Sequence, residues 1–307
     1  MPKTQSAARN KPDRLAPAEK PAQVIEELRP GQSIELLKEL HILTREGKLN
    51  QDTRRKLKQV YHLYQFIEPL LSEVVSANPA ATLADHGAGK SYLGFILYDL
   101  FFNVAHKGEK TSGHIYGIET RAELVDKSRT LAQRLGFGRM SFLNLSVQEA
   151  TTSPDLPPKV DIVTALHACD TATDDAIAFG LAKNAQHMVL VPCCQAEVAG
   201  VLKKGRALNL AKTPLAELWR HPLHTREFGS QITNVLRCLQ LEASGYDVTV
   251  TELVGWEHSM KNELILASKP QQLNTAKIRA AQTRLTQVLE EVGLDELKSR
   301  FSASAAA

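Results

Sequence analysis

The sequence predicts an α/β fold in which helices cover both faces of a seven-stranded sheet, and three observations indicate it. From Ala81 onward, short apolar stretches alternate with helical ones, as in parallel strands joined by crossover helices. The first stretch ends in a Gly-x-Gly turn, Gly87-Ala88-Gly89, which opens into a helix predicted at 92–102. Nine residues separate the last two stretches, too few for a crossover helix, so the last strand is predicted to be antiparallel.

The chain before the sheet is predicted to be a tail followed by helices. Residues 1–22 are polar and rich in Pro, Ala and Lys, which predicts a disordered tail. Residues 23–76 are predicted to form N-terminal helices. The first, at 33–46, has apolar residues near one face and Ser33 as its N-cap, and the second starts at residue 51.

Residues 77–270 are predicted to form one domain that contains the sheet. The gap between its fifth and sixth strands is long enough to hold an inserted basic lid, 196–229, in addition to a crossover. Residues 271–307 are predicted to form C-terminal helices and a tail, with one apolar stripe that packs on the core. The seven strands are predicted at 82–85, 115–119, 141–145, 161–167, 188–192, 248–253 and 263–268.

The glycine turn predicts a ligand site, because glycine lets backbone N–H groups approach a ligand closely. A phosphate-binding P-loop needs a glycine where Ala84 stands, and a dinucleotide turn needs one where Tyr92 stands. S-adenosylmethionine (SAM) needs an acid near its ammonium group and two glycines under its nucleoside, which Asp85, Gly87 and Gly89 supply. We therefore favour SAM. A nicotinamide, a nucleoside triphosphate and a turn that binds nothing are the alternatives.

The second predicted strand also ends in an acid, Glu119. A carboxylate at this position accepts hydrogen bonds from both ribose hydroxyls of a bound nucleoside. The alternative is an acid that only stabilises the start of the next helix. In the loop after the third strand, Ser146 and Gln148 are candidates for contact with the adenine edge.

Composition excludes several classes of protein. With 307 residues and 43% hydrophobic content, the chain is long enough to bury a large core. No stretch reaches the ~20 apolar residues of a membrane helix, and the N-terminus lacks the apolar core of a secretory signal. The four cysteines form no disulfide framework, so we expect a reducing, cytoplasmic compartment. A net charge of +3 does not by itself indicate nucleic-acid binding.

Six parallel strands with a seventh inserted antiparallel are typical of Rossmann-like class I methyltransferases. Four runs make a closer resemblance: ADHGAGKSYLG, LHACDTATD, VPCC and EHSMKNELILASK. Together they resemble a family that contains the tRNA acceptor-stem 2′-O-methyltransferases and the methyltransferase domain of glutathione S-transferase C-terminal-domain-containing protein. The resemblance implies an S-adenosyl-L-methionine-dependent methyltransferase. No motif resembles the CCCH-type zinc fingers of the tRNA enzymes, and Asp170 stands where glycine is expected.

The candidates for the methyl-transfer zone follow the fourth and fifth strands. His167 is the right type of residue for a general base, since its unperturbed pKa leaves it mostly neutral at pH 7. Alternatively, the Cys193 thiolate adds to C6 of a pyrimidine and activates C5. Packing of small side chains is the plainer reading of the cysteines; a zinc site that also uses Cys194 and His221 or His224 lacks CxxC spacing, so no metal is expected. The full candidate set is His167, Cys169, Asp170, Pro192 and Cys193.

The inserted segment predicts the substrate class. It carries the basic segment 203–227, with Trp219 among the cations, which suits a phosphodiester backbone and a stacked base. RNA, either tRNA or rRNA, is therefore the favoured partner, and no membrane partner is expected. The alternatives are a protein or small-molecule substrate, a lid that packs Trp219 into the core, and a non-catalytic binding module. The cations are Lys203, Lys204, Arg206, Lys212, Arg220 and Arg226.

Overall fold

The structure is a computed structural model, and it describes residues 27–106, 112–166, 170–192, 196–205, 212–253 and 263–302. All helices and strands below belong to the compact unit that begins at Gly31. Within the described residues, no helix combines the length and apolar content needed to cross a bilayer.

The predicted seven-stranded sheet is confirmed. Its strand order is β3-β2-β1-β4-β5-β7-β6, so the chain runs outward from the central β1 in both directions. The first five strands pair in parallel, and β7 pairs antiparallel with both β5 and β6. The strands are β1 Thr82–His86, β2 His114–Ile118, β3 Met140–Leu143, β4 Ile162–Ala165, β5 His187–Leu190, β6 Asp247–Glu252 and β7 Glu263–Ser268.

The central strands are buried because helices cover both faces of the sheet. Every residue of β4 and β5 is buried, which explains why six of their eight residues are apolar. One core cluster joins the sheet to side chains of the helices that follow β3 and β4. The helices are α1 Ile34–Glu39, α2 Gln51–Ala77, α3 Tyr92–Leu97, α4 Ala122–Leu135, α5 Val147–Thr152, α6 Thr171–Ala182, α7 Glu197–Gly205, α8 Pro222–Ala243 and α9 Thr275–Val292.

Three helices differ from their predicted extents. The first predicted helix ends early, because α1 stops at Glu39 and His41 takes a left-handed conformation (φ 55°). The helix after the glycine turn is α-helical only to Leu97 and continues as a π-helix over Tyr98–Ala105. Where the sequence predicts C-terminal helices, the structure has one long helix, α9, followed by a short 3-10 turn.

The segment predicted as an insertion is part of a helical layer. It contains α7, a 3-10 turn at Pro214–Trp219 and the start of α8, which packs against both α7 and α9. The predicted apolar stripe of the C-terminal helix forms the core of this layer, with Leu285 and Leu289 packed against α8. The Trp219 ring lies edge-on to Phe228, 5.4 Å between centroids, and packs on this cluster.

Candidate functional site

The glycine turn lies at the carboxyl end of β1. Gly87 and Gly89 both have positive φ, 62° and 58°, and Ser91 follows with φ 50°. This left-handed conformation favours glycine, and it explains why two glycines stand one residue apart. The Ala88 N–H donates to the Ile118 carbonyl at 3.1 Å, which attaches the turn to the end of β2. The turn therefore has a fixed position and presents backbone without side chains.

Glu119 contacts this turn directly. Its Oε2 accepts a hydrogen bond from the Gly89 N–H at 2.8 Å. The Arg121 guanidinium donates to both carboxylate oxygens, from Nε to Oε1 at 3.0 Å and from Nη2 to Oε2 at 3.2 Å. Burial opposes ionisation of Glu119, but the hydrogen bonds from Arg121 and Gly89 together outweigh it and hold the pKa below its usual value. The carboxylate is therefore ionised and fixed against the glycine turn.

Asp85 is the more deeply buried of the two predicted acids. It is 2% exposed, its Oδ1 accepts a hydrogen bond from the Thr164 hydroxyl at 2.8 Å, and the Gly94 N–H also donates to it. Burial raises its pKa to about 7, because the charged form loses hydration that these two donors only partly replace. The next residue, His86, packs against Phe179, and burial lowers its pKa to about 3.

The loop after β3 completes this part of the edge. Asn144 donates from Nδ2 to the carbonyls of Glu119 and Thr120, at 3.0 and 2.7 Å. Ser146 is the N-cap of α5 and forms a capping box with Glu149, so its hydroxyl already has a structural partner. We call these residues the glycine side of the site: Asp85, Gly87, Gly89, Glu119, Arg121, Asn144, Ser146 and the exposed Gln148.

Sequence reasoning did not identify two residues of the glycine side, Arg121 and Asn144, and it identified Ser146 without its role as a helix cap. Arg121 and Asn144 hold Glu119 in place, but no motif singles them out. For Ser146 a signal was present, because the Ser-x-x-Glu pattern is typical of a capping box.

Of the predicted methyl-transfer residues, Asp170 and Pro192 are described. His167, Cys169 and Cys193 lie outside the described residues, as does Cys194. Asp170 has φ 53°, and its Oδ1 accepts hydrogen bonds from the N–H groups of Ala196 and Glu197, at 2.8 and 3.1 Å. Its carboxylate therefore caps the start of α7 and links the end of the β4–α6 connection to the end of the β5–α7 connection. Pro192 is buried just after β5.

A buried arginine network lies beneath Asp170, and sequence reasoning did not find it. Arg237, on α8, is fully buried and makes a two-point ion pair with Asp174, at 2.7 and 2.9 Å. Its Nη2 also donates to the Asp170 carbonyl at 2.8 Å, and its Nη1 donates to Asn234 Oδ1 at 3.1 Å. Asn234 in turn donates to Glu263 at 2.6 Å. We call Asp170, Asp174, Asn234, Arg237 and Glu263 the arginine side of the site.

The structure also bears on the remaining cysteine and histidines. Cys238 packs against the core as predicted, and burial raises the pKa of its thiol to about 12. The rings of His221 and His224 lie 5.2 Å apart at the start of α8. Among the residues that the structure describes, no group of three or more His, Cys, Asp or Glu is arranged to hold a metal ion.

The glycine side fits SAM in the chemistry of its groups. An ionised carboxylate at the end of β2 suits two ribose hydroxyls, and a glycine turn without Cβ atoms suits a nucleoside laid against it. A second carboxylate, at the end of β1, suits an ammonium group. When bound, SAM would supply a methyl group carried on a positively charged sulfur.

The comparison with family models agrees with this chemistry. Residues 55–201 match the model of a family described as a methyltransferase domain. This match covers most of α2, the strands from β1 to β5 and the first five residues of α7, and so includes every residue of the glycine side. No protein of curated function matches the sequence.

Several solved structures are similar to this chain at low sequence identity. Magnesium protoporphyrin IX methyltransferase from Synechocystis PCC 6803, solved with bound SAH, is 14% identical, and the match covers 77% of this chain and 93% of that one, with a TM-score of 0.43. An rRNA methylase from Streptococcus thermophilus is 11% identical over 67% and 95% of the chains, with a TM-score of 0.40. Precorrin-6y C5,15-methyltransferase from Geobacter metallireducens GS-15 is 16% identical over 62% and 80%, with a TM-score of 0.35.

These structures bear names with different substrates, so the likeness does not single out a substrate for this chain. The family match indicates the class of enzyme. The chain contains a methyltransferase domain, the protein is a methyltransferase, and its methyl donor is S-adenosylmethionine.

Proposed function

We propose that this protein transfers the methyl group of SAM to RNA. The observation that carries the proposal is the end of α7: exposed lysines, which have no acidic partner among the described residues, lie one short helix away from Asp170, at the edge of the sheet where SAM is proposed to bind.

The glycine side is proposed to bind SAM. Asp85 would face the ammonium group, Gly87 and Gly89 would lie under the nucleoside, and Glu119 would accept the ribose hydroxyls. A carboxylate has about four acceptor positions, and the donors already on Glu119 fill them. Binding of the ribose therefore requires Arg121 to move away, and its side chain, 60% exposed, is free of packing that would prevent this. Ser146 and Gln148 are proposed to approach the adenine edge from the β3 loop.

The acceptor is proposed to bind beside Asp170 and Pro192. Methyl transfer from a sulfonium needs a nucleophile in line with the carbon–sulfur bond and about 3 Å from the methyl carbon, so placement supplies much of the rate. A ribose hydroxyl needs a base to take its proton, which is the role proposed for His167. A pyrimidine C5 instead needs a thiolate at C6, which is the role proposed for Cys193.

Charge near the acceptor supports RNA as the substrate class. Lys203 and Lys204 are exposed in the last turn of α7, and Lys212 is exposed beyond it; none of the three has an acidic partner among the described residues. α7 starts beside Asp170, so Lys203 lies about 9 Å along the helix from that point, at 1.5 Å per residue. This spacing suits a phosphate one or two nucleotides from the methylated one.

The two described arginines of the basic segment contribute less, and Arg206 lies outside the described residues. Arg220 pairs with Glu217 at 2.9 Å, and Arg226 pairs with Glu227 at 2.9 Å, so both are partly neutralised. Trp219 packs on Phe228, which supports the alternative in which its ring belongs to the core. The proposal therefore rests on the lysines and not on base stacking by Trp219.

The test is transfer of radiolabelled methyl groups from SAM into an extract of cells that lack this protein. Portions are digested with ribonuclease or protease, and the Glu119→Ala variant gives the background. Label that ribonuclease removes supports the proposal. Label that only protease removes makes the substrate a protein, and label only in small molecules excludes both. Absence of label, with SAM binding measured separately, favours a non-catalytic binding module.

A charge-reversal pair tests the role of the lysines. We expect Lys203→Glu with Lys204→Glu to lower RNA labelling at least tenfold at physiological salt, because phosphate contacts dominate affinity for RNA. Affinity for SAM should stay within twofold of the parent. The matched control is Lys127→Glu with Arg279→Glu, which changes the charge equally at exposed positions on α4 and α9. Equal losses in the two double variants would contradict a specific role for α7.

A further inference from the structure

The buried arginine of the arginine side holds more than its ion-pair partner. Arg237 is 0% exposed and Asp174 is 5% exposed, and α6 and α8 bring them together from 63 positions apart. The same guanidinium donates to the Asp170 carbonyl and to Asn234, and Asn234 donates to Glu263. Directly, or through Asp170 and Asn234, Arg237 is thus connected to three stretches of the chain: at Asp170, at Ala196 and Glu197, and at Glu263.

These stretches are the described ends of three neighbouring connections at the carboxyl edge. Asp170 ends the β4–α6 connection, and its carboxylate receives the N–H groups of Ala196 and Glu197, which end the β5–α7 connection. Glu263 ends the β6–β7 connection, opposite the end of β5. If Arg237 were removed, Asp170 would lose the donor on its carbonyl, and the cap of α7 would lose its support.

Stability alone does not explain such a network. Burying two charges costs several kcal/mol per ion before they attract each other, and a well-packed apolar pair of similar volume is often equally stable or more stable. A guanidinium, however, offers five donors in a rigid plane and fixes the direction of each acceptor, which no apolar side chain does.

We propose that Arg237 is a positioning residue for methyl transfer: it fixes Asp170, and through Asp170 the start of α7, so that the acceptor is held in line with the methyl group. This inference rests on the proposed function, because it assigns Asp170 and α7 to the acceptor. Arg237 contacts no residue of the glycine side among the contacts described. We therefore expect SAM binding to be independent of Arg237.

The test replaces the ion pair without leaving a buried charge. Arg237→Ala alone leaves Asp174 buried and unpaired, which is strongly destabilising and liable to unfold the chain. The double variant Arg237→Met with Asp174→Leu removes both charges and puts an apolar side chain of similar shape at each position. We expect it to fold, to bind SAM within twofold of the parent, and to show kcat lowered by about tenfold to a hundredfold, the loss that a misplacement of about 1 Å produces.

A second readout does not depend on activity. The amides of Ala196 and Glu197 donate to Asp170, so their hydrogen exchange should become at least tenfold faster in the double variant. The matched control is Arg300→Ala. Arg300 also links α6 to α7, because it lies 2.8 Å from Glu197 on α7 and 3.9 Å from Asp175 on α6. It is partly exposed, and no described contact joins it to Asp170. Its loss should leave both readouts within twofold of the parent.

The outcomes separate the inference from the proposed function. A folded double variant with parental kcat overturns the inference, whether or not the two amides exchange faster. Slow exchange at Ala196 and Glu197 in that variant also overturns it, because Asp170 would then hold α7 without Arg237. If the parent protein methylates no RNA but exchange accelerates in the double variant, the proposed function fails, and the link from Arg237 to α7 stands.

Discussion

The glycine side and the arginine side share one edge of the sheet but are held together by different means. Most hydrogen bonds of the glycine side join nearby parts of the chain: Gly89 and Glu119 are 30 positions apart, and Ser146 and Glu149 only three. The exception is the bond from Thr164 to Asp85, which spans 79 positions. Its ion pair, Glu119 with Arg121, has one partly exposed partner. On the arginine side, Arg237 reaches 63 and 67 positions back along the chain, and its ion pair is fully buried.

This difference indicates what each side does. An arginine whose side chain is exposed to water exchanges partners readily, so the glycine side is able to release Arg121 and take a ligand. A buried pair with four hydrogen bonds does not rearrange without a large loss of stability. We infer that the cofactor side of the site adjusts to its ligand and that the acceptor side stays fixed.

The largest expected effect breaks the glycine side. Glu119→Ala removes the acceptor of the ribose hydroxyls and should weaken SAM binding at least about a hundredfold, as expected for loss of two hydrogen bonds to a charged group. Asp85→Ala removes the carboxylate that is proposed to face the ammonium group and should abolish measurable SAM binding. Isothermal titration calorimetry gives the affinity, and thermal melting shows that each variant is folded. Parental affinity in both variants would disprove the assignment of the cofactor site.

A glycine in the helical layer tests the rigidity of the arginine side. A Cβ added at Gly229 would lie 2.7 Å from the Ala199 Cβ and 2.9 Å from the Ala199 backbone nitrogen, so α7 must shift away from α8. We expect Gly229→Ala to lower the free energy of unfolding by about 1–3 kcal/mol and to reduce methyl transfer.

The matched control lies on the same helix pair. Gly200, on α7, has open space where its Cβ would be, so Gly200→Ala should raise the free energy of unfolding by about 0.5–1 kcal/mol through helix propensity alone. Denaturant unfolding of both variants checks the prediction. Equal effects of the two substitutions would mean that α7 and α8 are not closely packed.

The pKa of Asp85 predicts a pH dependence of cofactor binding. Burial raises this pKa to about 7, so the carboxylate is mostly protonated at pH 6 and mostly ionised at pH 8. Because the ionised form attracts an ammonium group, SAM should bind about tenfold more weakly at pH 6 than at pH 8. Glu119 has a lowered pKa and stays ionised across this range. Calorimetric titrations at the two pH values check this, and Asp85→Asn should remove the difference.

The smallest expected effect sharpens the comparison at Arg121. Arg121, 60% exposed, pairs with the buried Glu119 and competes with the ribose hydroxyls, and water around its guanidinium limits the contribution of the pair to about 1 kcal/mol. Arg121→Ala should therefore tighten SAM binding by up to about fivefold. Weaker binding in this variant would show instead that Arg121 supports Glu119 in the bound state. Arg129→Ala, at an exposed arginine on α4, serves as the control.

The sequence predicted the sheet and the glycine side because their signals are local. Short apolar or alternating stretches mark the strands, and glycines mark the left-handed turn. Asp85 is the next-to-last residue of β1, and Glu119 directly follows β2. The predicted strand limits differ from those of the structure by at most two residues at either end.

The arginine side could not be predicted in the same way. Arg237 lies in an amphipathic helix with no motif around it, and only the packing of α8 on α6 shows that it faces Asp174 and not water. The π-helix at Tyr98–Ala105 was missed for a related reason, because a search at 3.6 residues per turn assumes a regular α-helix. His41 ends α1 in a left-handed conformation without the glycine that usually marks it.

The position of β7 has a consequence for synthesis. This strand is the last of the seven to leave the ribosome, yet it occupies an interior place, between β5 and β6. Until residue 268 has emerged, β5 has an open edge and β6 has no strand to pair with. Unpaired edges of this kind recruit other strands and promote aggregation. A nascent chain stalled before residue 263 has emerged from the ribosome should therefore depend on chaperones far more than one stalled after residue 270 has emerged.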